Sequence, residues 1–184
     1  MSRALVVYES VFGDARRIAL AISDGLAVAI PADVVAATDA PAEIASDVGL
    51  LIVGGPNHAF GMPRPSTREG AVKQYGADIP DTGRGLHEWL EGTRLAAGGL
   101  AAAAFDTRGS GHPMLTKMDH AARTEEKLLG KLGARVVAPA EHFFVVDAKG
   151  PLVDGEEDRA RRWGQTLAEL VAPLPASSET AGLP

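Results

Sequence analysis

Short apolar runs alternate along this chain with segments whose apolar residues recur every three or four positions. That alternation limits the fold more than any other feature. Residues 3–8 form a continuous run rich in valine, Arg3-Ala4-Leu5-Val6-Val7-Tyr8, the pattern of a strand buried on both faces. After a glycine-containing turn, Ala15, Ile18, Ala19, Ile22 and Leu26 fall on one helical stripe. Residues 33–37 make a weaker strand and residues 48–53 a strong one. Between Gly54 and about Gly99 lie two short helical pieces. Ser66 and Glu69 have capping-box spacing before the first, and Leu86, Trp89 and Leu90 mark the buried side of the second.

Residues 100–105, Leu100-Ala101-Ala102-Ala103-Ala104-Phe105, favour helix by propensity. Gly98-Gly99 and Gly109 fence the run in at strand length, so it reads as a fourth strand. Leu115, Met118, Ala122, Leu129 and Leu132 outline a further helix, with Glu125 interrupting its stripe. Val136-Val137 and Phe143-Phe144-Val145-Val146, split by Pro139, read as an interrupted last strand, because proline cannot donate to a ladder. Asp154 and Glu157 have N-cap and N3 spacing for a final helix whose inward residues are Ala160, Trp163, Leu167 and Leu170. The order β-α-β-α-β-α-β-α-β-α predicts a doubly wound α/β domain with a parallel sheet and helices on both faces. Its expected extent is residues 1–171. Residues 172–184, rich in Pro, Ser and Ala, read as a flexible tail.

The 184 residues suit one domain. A net charge of -6 argues against nucleic-acid binding, which calls for a basic face. With no cysteine in the chain, thiol redox chemistry and disulfides are excluded. Redox activity would therefore need a bound cofactor. The five histidines lack the i,i+4 pairing of a helical metal site. The first apolar run is too short for a signal peptide or a membrane span, so the sequence-based expectation is a cytoplasmic protein with no membrane partner.

In open α/β sheets, ligands bind beyond the carboxyl ends of the strands. Three loops qualify. In the first, Ser10-Val11-Phe12-Gly13-Asp14-Ala15 joins strand one to a helix. The free N–H groups of that helix start favour an anion, Ser10 adds a hydroxyl, and Gly13 would let the backbone approach closely. The same residues also suit a plain strand-to-helix turn capped by Ser10. In the second loop, Pro56, Asn57, His58, Phe60 and Gly61 combine glycines, polar groups and an aromatic. In the third, Asp106, Thr107 and Arg108 lead into Gly109-Ser110-Gly111-His112. This last stretch lacks the G-x-S-x-G spacing of a serine hydrolase.

The stretch Val6-Val7-Tyr8-Glu9-Ser10-Val11-Phe12-Gly13-Asp14-Ala15-Arg16-Arg17-Ile18-Ala19 resembles the FMN-phosphate signature of the flavodoxins. Val6, Val7, Tyr8, Ser10, Gly13, Ala19 and Ile22 match it. Ala15 stands where the signature has threonine, and Asp14 adds a carboxylate. The Gly54–Gly61 loop resembles the flavin-flanking loop of the same family.

The resemblance implies a flavodoxin-like five-stranded sheet in the order 2-1-3-4-5. It also implies FMN held by Ser10–Ala15, with Asn57 and His58 as polar contacts, Phe60 as the stacking ring and Thr107 as a further contact. Arg108 and His112 would form a rim. The implied role is electron transfer or a small flavin-dependent reductase, fed by a redox partner protein or a nicotinamide cofactor. The alternative is a degenerate module that has lost FMN and acts through protein contacts. Arg64, Arg68, Arg108, His58 and His112 around the loops imply a less negative flavin potential than in acid-crowded carriers. Receiver domains share the element order, but they would carry paired aspartates after strand one, where Glu9 stands alone.

Overall fold

Strand β1 (Arg3–Tyr8) lies inside a parallel sheet, between β2 (Ala32–Ala36) and β4 (Val48–Pro56). The computed structural model describes residues 2–57, 61–110 and 121–172. The sheet runs β2-β1-β4-β6, with β6 spanning Ala101–Gly109. β7 (Arg135–Val136) and β8 (Glu141–Val145) both pair with β6, in two successive pieces. Pro139 falls in the gap between them, as an interrupted last strand requires. Counted as five, the strands stand in the order 2-1-3-4-5. A second, two-stranded sheet of β3 (Glu43–Ile44) and β5 (Arg94–Leu95) has no forerunner in the sequence pattern, being only two residues per strand.

In the parallel register, Val6 sits between Val34 and Ile52, and Ile52 opposes Ala103. The alanine run forms a strand because pairing with β4 on one side and β7 on the other overrides its helix propensity. α1 (Asp14–Leu26) and α5 (Glu156–Val171) cover one face. Val6, Ile52 and Phe105 pack there against Ile18, Ile22 and Leu167. α3 (Leu86–Gly92) and α4 (Ala121–Lys131) cover the other, where Val7, Leu51 and Val53 meet Leu86, Leu90 and Leu129. α2 (Pro65–Tyr75) closes the carboxyl end of the sheet.

Several local expectations change. α2 is capped by Arg64 and Thr67, with the Arg64 N–H donating to Thr67 Oγ1 at 2.8 Å, and not by Ser66 and Glu69. The N-cap of α5 is Gly155 in the left-handed region, one residue after Asp154. Leu170 is 52% exposed, because the inward stripe of α5 runs through Leu167, Ala168 and Val171 instead. Leu115 and Met118 lie outside the described residues, as does the tail beyond residue 172. None of the described helices is long and apolar enough to cross a membrane.

Candidate functional site

The carboxyl ends of β1, β4, β6 and β8 open into a cavity of about 470 Å³. Nine of the sequence-picked residues line it: Ser10, Val11, Phe12, Asp14, Ala15, Pro56, Asn57, Thr107 and Arg108. Gly13 and Asp106 do not, and neither does Gly61. His58, Phe60 and His112 lie outside the described residues.

At the head of α1 the first intrahelical bond runs from the Arg17 N–H to the Gly13 carbonyl at 3.1 Å. The Asp14, Ala15 and Arg16 N–H groups therefore precede any intrahelical acceptor. Ser10 Oγ accepts the Gly13 N–H at 3.1 Å, which leaves the hydroxyl proton for another acceptor. Gly13 is required for a different reason than close approach. A Cβ there would meet nothing within 4 Å, but φ is +100°, a conformation that side chains disfavour.

Asp14 turns toward the 147–152 turn, where the Leu152 backbone hydrogen-bonds it and Gly150 packs against its carboxylate. Burial raises its pKa, while Arg17 and the Leu152 bond oppose that rise. Arg16 and Arg17 are both exposed, and Arg17 Nε binds Glu157 at 3.0 Å.

The second and third loops begin later than the sequence suggests. Gly54, Gly55 and Pro56 belong to β4, and Asp106, Thr107 and Arg108 belong to β6, in register with Gly55, Pro56 and the β8 residues. The two glycines make room for neighbours. A Cβ on Gly54 would lie 2.3 Å from the Phe105 ring, and one on Gly55 would touch Glu9. The Asn57 N–H extends the ladder to the Thr107 carbonyl at 2.9 Å. Asn57 Oδ1 is buried and has no hydrogen-bond partner among the described residues.

Asp106 is fully buried and pairs with Arg108, whose Nε donates to Oδ1 at 2.9 Å. His142 Nδ1 lies 3.2 Å from Asp106 Oδ1 and 2.7 Å from Arg108 Nη2. Arg108 is thus an internal partner of Asp106 and not a free rim cation.

Arg68 is equally enclosed, at 1% exposure. Its Nε donates to Glu9 Oε1 at 2.6 Å and its Nη2 to Glu88 Oε2 at 2.6 Å, while Nη1 reaches the Thr82 carbonyl. Burial works against its charge, but Glu9 and Glu88 outweigh that and raise its pKa. Arg68 and Arg108 therefore bring no net positive charge to the cavity, and the inference of a less negative potential loses both.

Glu125, which interrupts the helical stripe, is 1% exposed, and its Oε2 has no partner among the described residues. Burial pushes its pKa well up, helped by the negative charges of Asp106 and Glu9.

Sequence reasoning missed the wall supplied by α2. Thr67, Gly70, Ala71, Gln74 and Tyr75 line the cavity. They are small or polar residues at helical spacing, where a core-facing helix would show an apolar stripe, and that was the legible signal. Val145 and Ala148 complete the wall near the end of β8. No group of three or more histidine, aspartate or glutamate residues that could hold a metal ion occurs among the described residues.

No protein-family model matches the chain, and no curated protein matches it by sequence. Solved structures match over nearly the whole length. A flavodoxin from the domain Archaea is 19% identical, with a TM-score of 0.62 over 92% of this chain and 98% of its own. Oxidised flavodoxin 1 from Bacillus cereus is 18% identical, with a TM-score of 0.64 over 91% and 98%. A flavodoxin, WrbA-like protein from Agrobacterium tumefaciens is 17% identical, with a TM-score of 0.56 over 93% and 98%. At these identities the shared property is the fold: the chain has the flavodoxin-like architecture.

Proposed function

We propose that this flavodoxin-like chain binds FMN in the cavity at the carboxyl ends of its strands and serves as a redox protein. The observation that carries the reading is the pairing of two unsatisfied features on one cavity wall. One is the head of α1, where the Asp14 and Ala15 N–H groups have no backbone acceptor among the described residues. The other is the buried, unpartnered Oδ1 of Asn57. A phosphate monoester suits the first, and a ring N–H suits the second. Ser10 would offer a hydroxyl donor to the phosphate, and Asn57 and Thr107 would offer side-chain polar groups to the ring. The flavin supplies the electron chemistry, while the protein binds, orients and excludes water.

The Asp14 carboxylate, engaged by Leu152, does not stand as a lone charge against a phosphate. The Ala15 position still lacks the family's hydroxyl. A second reading, a module that has lost FMN, is favoured by the Ser10–Gly13 hydrogen bond, which closes part of the loop on itself.

Ultrafiltration of the purified protein with FMN decides between them. Retained, yellow protein at micromolar concentration supports binding, and complete passage of the flavin supports the module. Gly13→Val is expected to abolish retention, because the strained φ costs on the order of 1–3 kcal/mol and reshapes the phosphate loop. Unchanged affinity would move the phosphate elsewhere. Stopped-flow reduction by NADPH then separates a reductase, reduced directly, from a carrier that needs a redox partner protein.

A further inference from the structure

Arg68 and Arg108 spend their charge on buried carboxylates, and Arg64 does not. Its Nη1 lies 3.0 Å from Nδ1 of His87, a residue only 3% exposed in the first turn of α3. A guanidinium can only donate, so Nδ1 accepts and the neutral ring carries its proton on Nε2. Burial first, and Arg64 second, lower the His87 pKa against the pull of Glu91 and Glu88. The neutral ring thus orients the guanidinium and leaves its positive charge uncancelled.

Arg64 and His87 line a groove of about 600 Å³ between α3 and α4. Lys127 and Lys131, one turn apart on α4, line it too, beside the buried Leu128. Arg64, Lys127 and Lys131 have no ion-pair partner among the described residues. Glu91 is the one acid in the lining, and its side chain is 60% exposed. Like charges four positions apart on a helix repel, and three cations on one groove favour an anion between them. Gly130 lies on the same wall. A Cβ there would meet nothing within 4 Å, so packing does not call for glycine, and alanine would stabilise the helix by about 1 kcal/mol. Glycine keeps a side chain out of the groove.

We propose that this groove binds a phosphoryl group, free or as a small phosphomonoester, with Arg64, Lys127 and Lys131 as its donors and His87 as the residue that positions Arg64. The arginine fork pairs two phosphate oxygens, and the lysines act as point charges. The volume falls in the range of small-molecule sites and leaves room for an organic group against Leu128. Neither the groove nor its test needs bound flavin.

Isothermal titration calorimetry of the whole chain with inorganic phosphate, adenosine 5′-monophosphate and adenosine tests this. Both phosphoryl compounds are expected to bind, and adenosine is not. Tighter binding of the nucleotide assigns the groove to a phosphomonoester, and equal affinity assigns it to free phosphate. Lys127→Gln combined with Lys131→Gln is expected to weaken phosphate binding about tenfold or more, as is Gly130→Glu, which puts a carboxylate into open space. His87→Gln keeps an acceptor for Arg64 and should stay within about threefold of the wild type, while His87→Leu should lose about tenfold. The head of α1 can also take a phosphoryl group, so Gly13→Val runs alongside and should leave binding at the groove intact. The proposal is overturned by a wild type that binds no phosphate, or by adenosine binding as tightly as its monophosphate. It is equally overturned by phosphate affinity that survives the groove variants and is lost in Gly13→Val.

Discussion

The two faces of the sheet solve the same packing problem in opposite ways. Under α1 and α5 the core is apolar except for Glu156, which accepts the Phe144 N–H at the head of α5, and the helices touch backbone to backbone. A Cβ on Gly25 would lie 2.0 Å from the Arg161 carbonyl oxygen, and one on Gly164 would lie 2.3 Å from that of Ile22. Under α3 and α4 the core is apolar only toward the amino ends of the strands. At the carboxyl ends Glu9, Arg68, Asp106, Arg108 and Glu125 replace it, all at 9% exposure or less. Buried ion pairs of this kind seldom add stability over an apolar core. The charged face instead ties α2, the 82–86 segment and β8 around the cavity, through Arg68 to Glu9, Thr82 and Glu88 and through Arg108 to His142. One face fixes the fold, and the other positions the walls of the site.

Removing the Arg68 charge is the strongest way to break this contrast. Arg68→Met leaves Glu9 buried with only the Leu86 N–H among its present partners, and the expected loss is about 3–5 kcal/mol in urea denaturation. A loss below about 1 kcal/mol would make the ion network incidental.

On the apolar face, Gly164→Ala is expected to cost about 1–3 kcal/mol by forcing the helices apart. The sign is informative, because alanine in an unpacked helix would instead gain about 1 kcal/mol. Thermal melts followed by circular dichroism report it.

A third effect is electrostatic and shows only as a dependence on pH. The Glu125 carboxyl keeps its proton in the folded protein above the ordinary value of 4.5. Above the ordinary value and until that proton is lost, the folded state binds more protons than the unfolded one, so stability falls as pH rises. The slope approaches about 1.4 kcal/mol per pH unit. Glu125→Gln removes that slope. Parallel urea midpoints for both proteins from pH 5 to pH 8 would show that Glu125 does not titrate as its burial implies.

Much of the site could be read from residue type alone, and its boundaries could not. Ser10 and Thr107 were legible because each lies two residues beyond the end of an apolar run, and Asn57 through the resemblance of its loop. Their secondary structure was harder. The polar residues Asp106, Thr107 and Arg108 look like loop, yet β8 pairs with them and draws them into β6. Gly54 and Gly55 look like a flexible turn, yet they sit in β4 to accommodate Phe105 and Glu9. In both cases a partner remote in sequence made the decision.

By itself the sequence determined the strand and helix order, the parallel doubly wound arrangement and the position of the first loop at a helix head. Those follow from periodicities within a few residues, which local sterics and burial enforce. Only the tertiary structure decided that Arg68 and Arg108 spend their charge internally, that Glu125 is enclosed, that Asp14 turns to the 147–152 turn and that Tyr75 walls the cavity. The Arg68, Arg108, Asp14 and Tyr75 outcomes each depend on residues between 34 and 138 positions apart in sequence coming together. There the pairing of a charge or the placement of a ring is set by neighbours that no local pattern names.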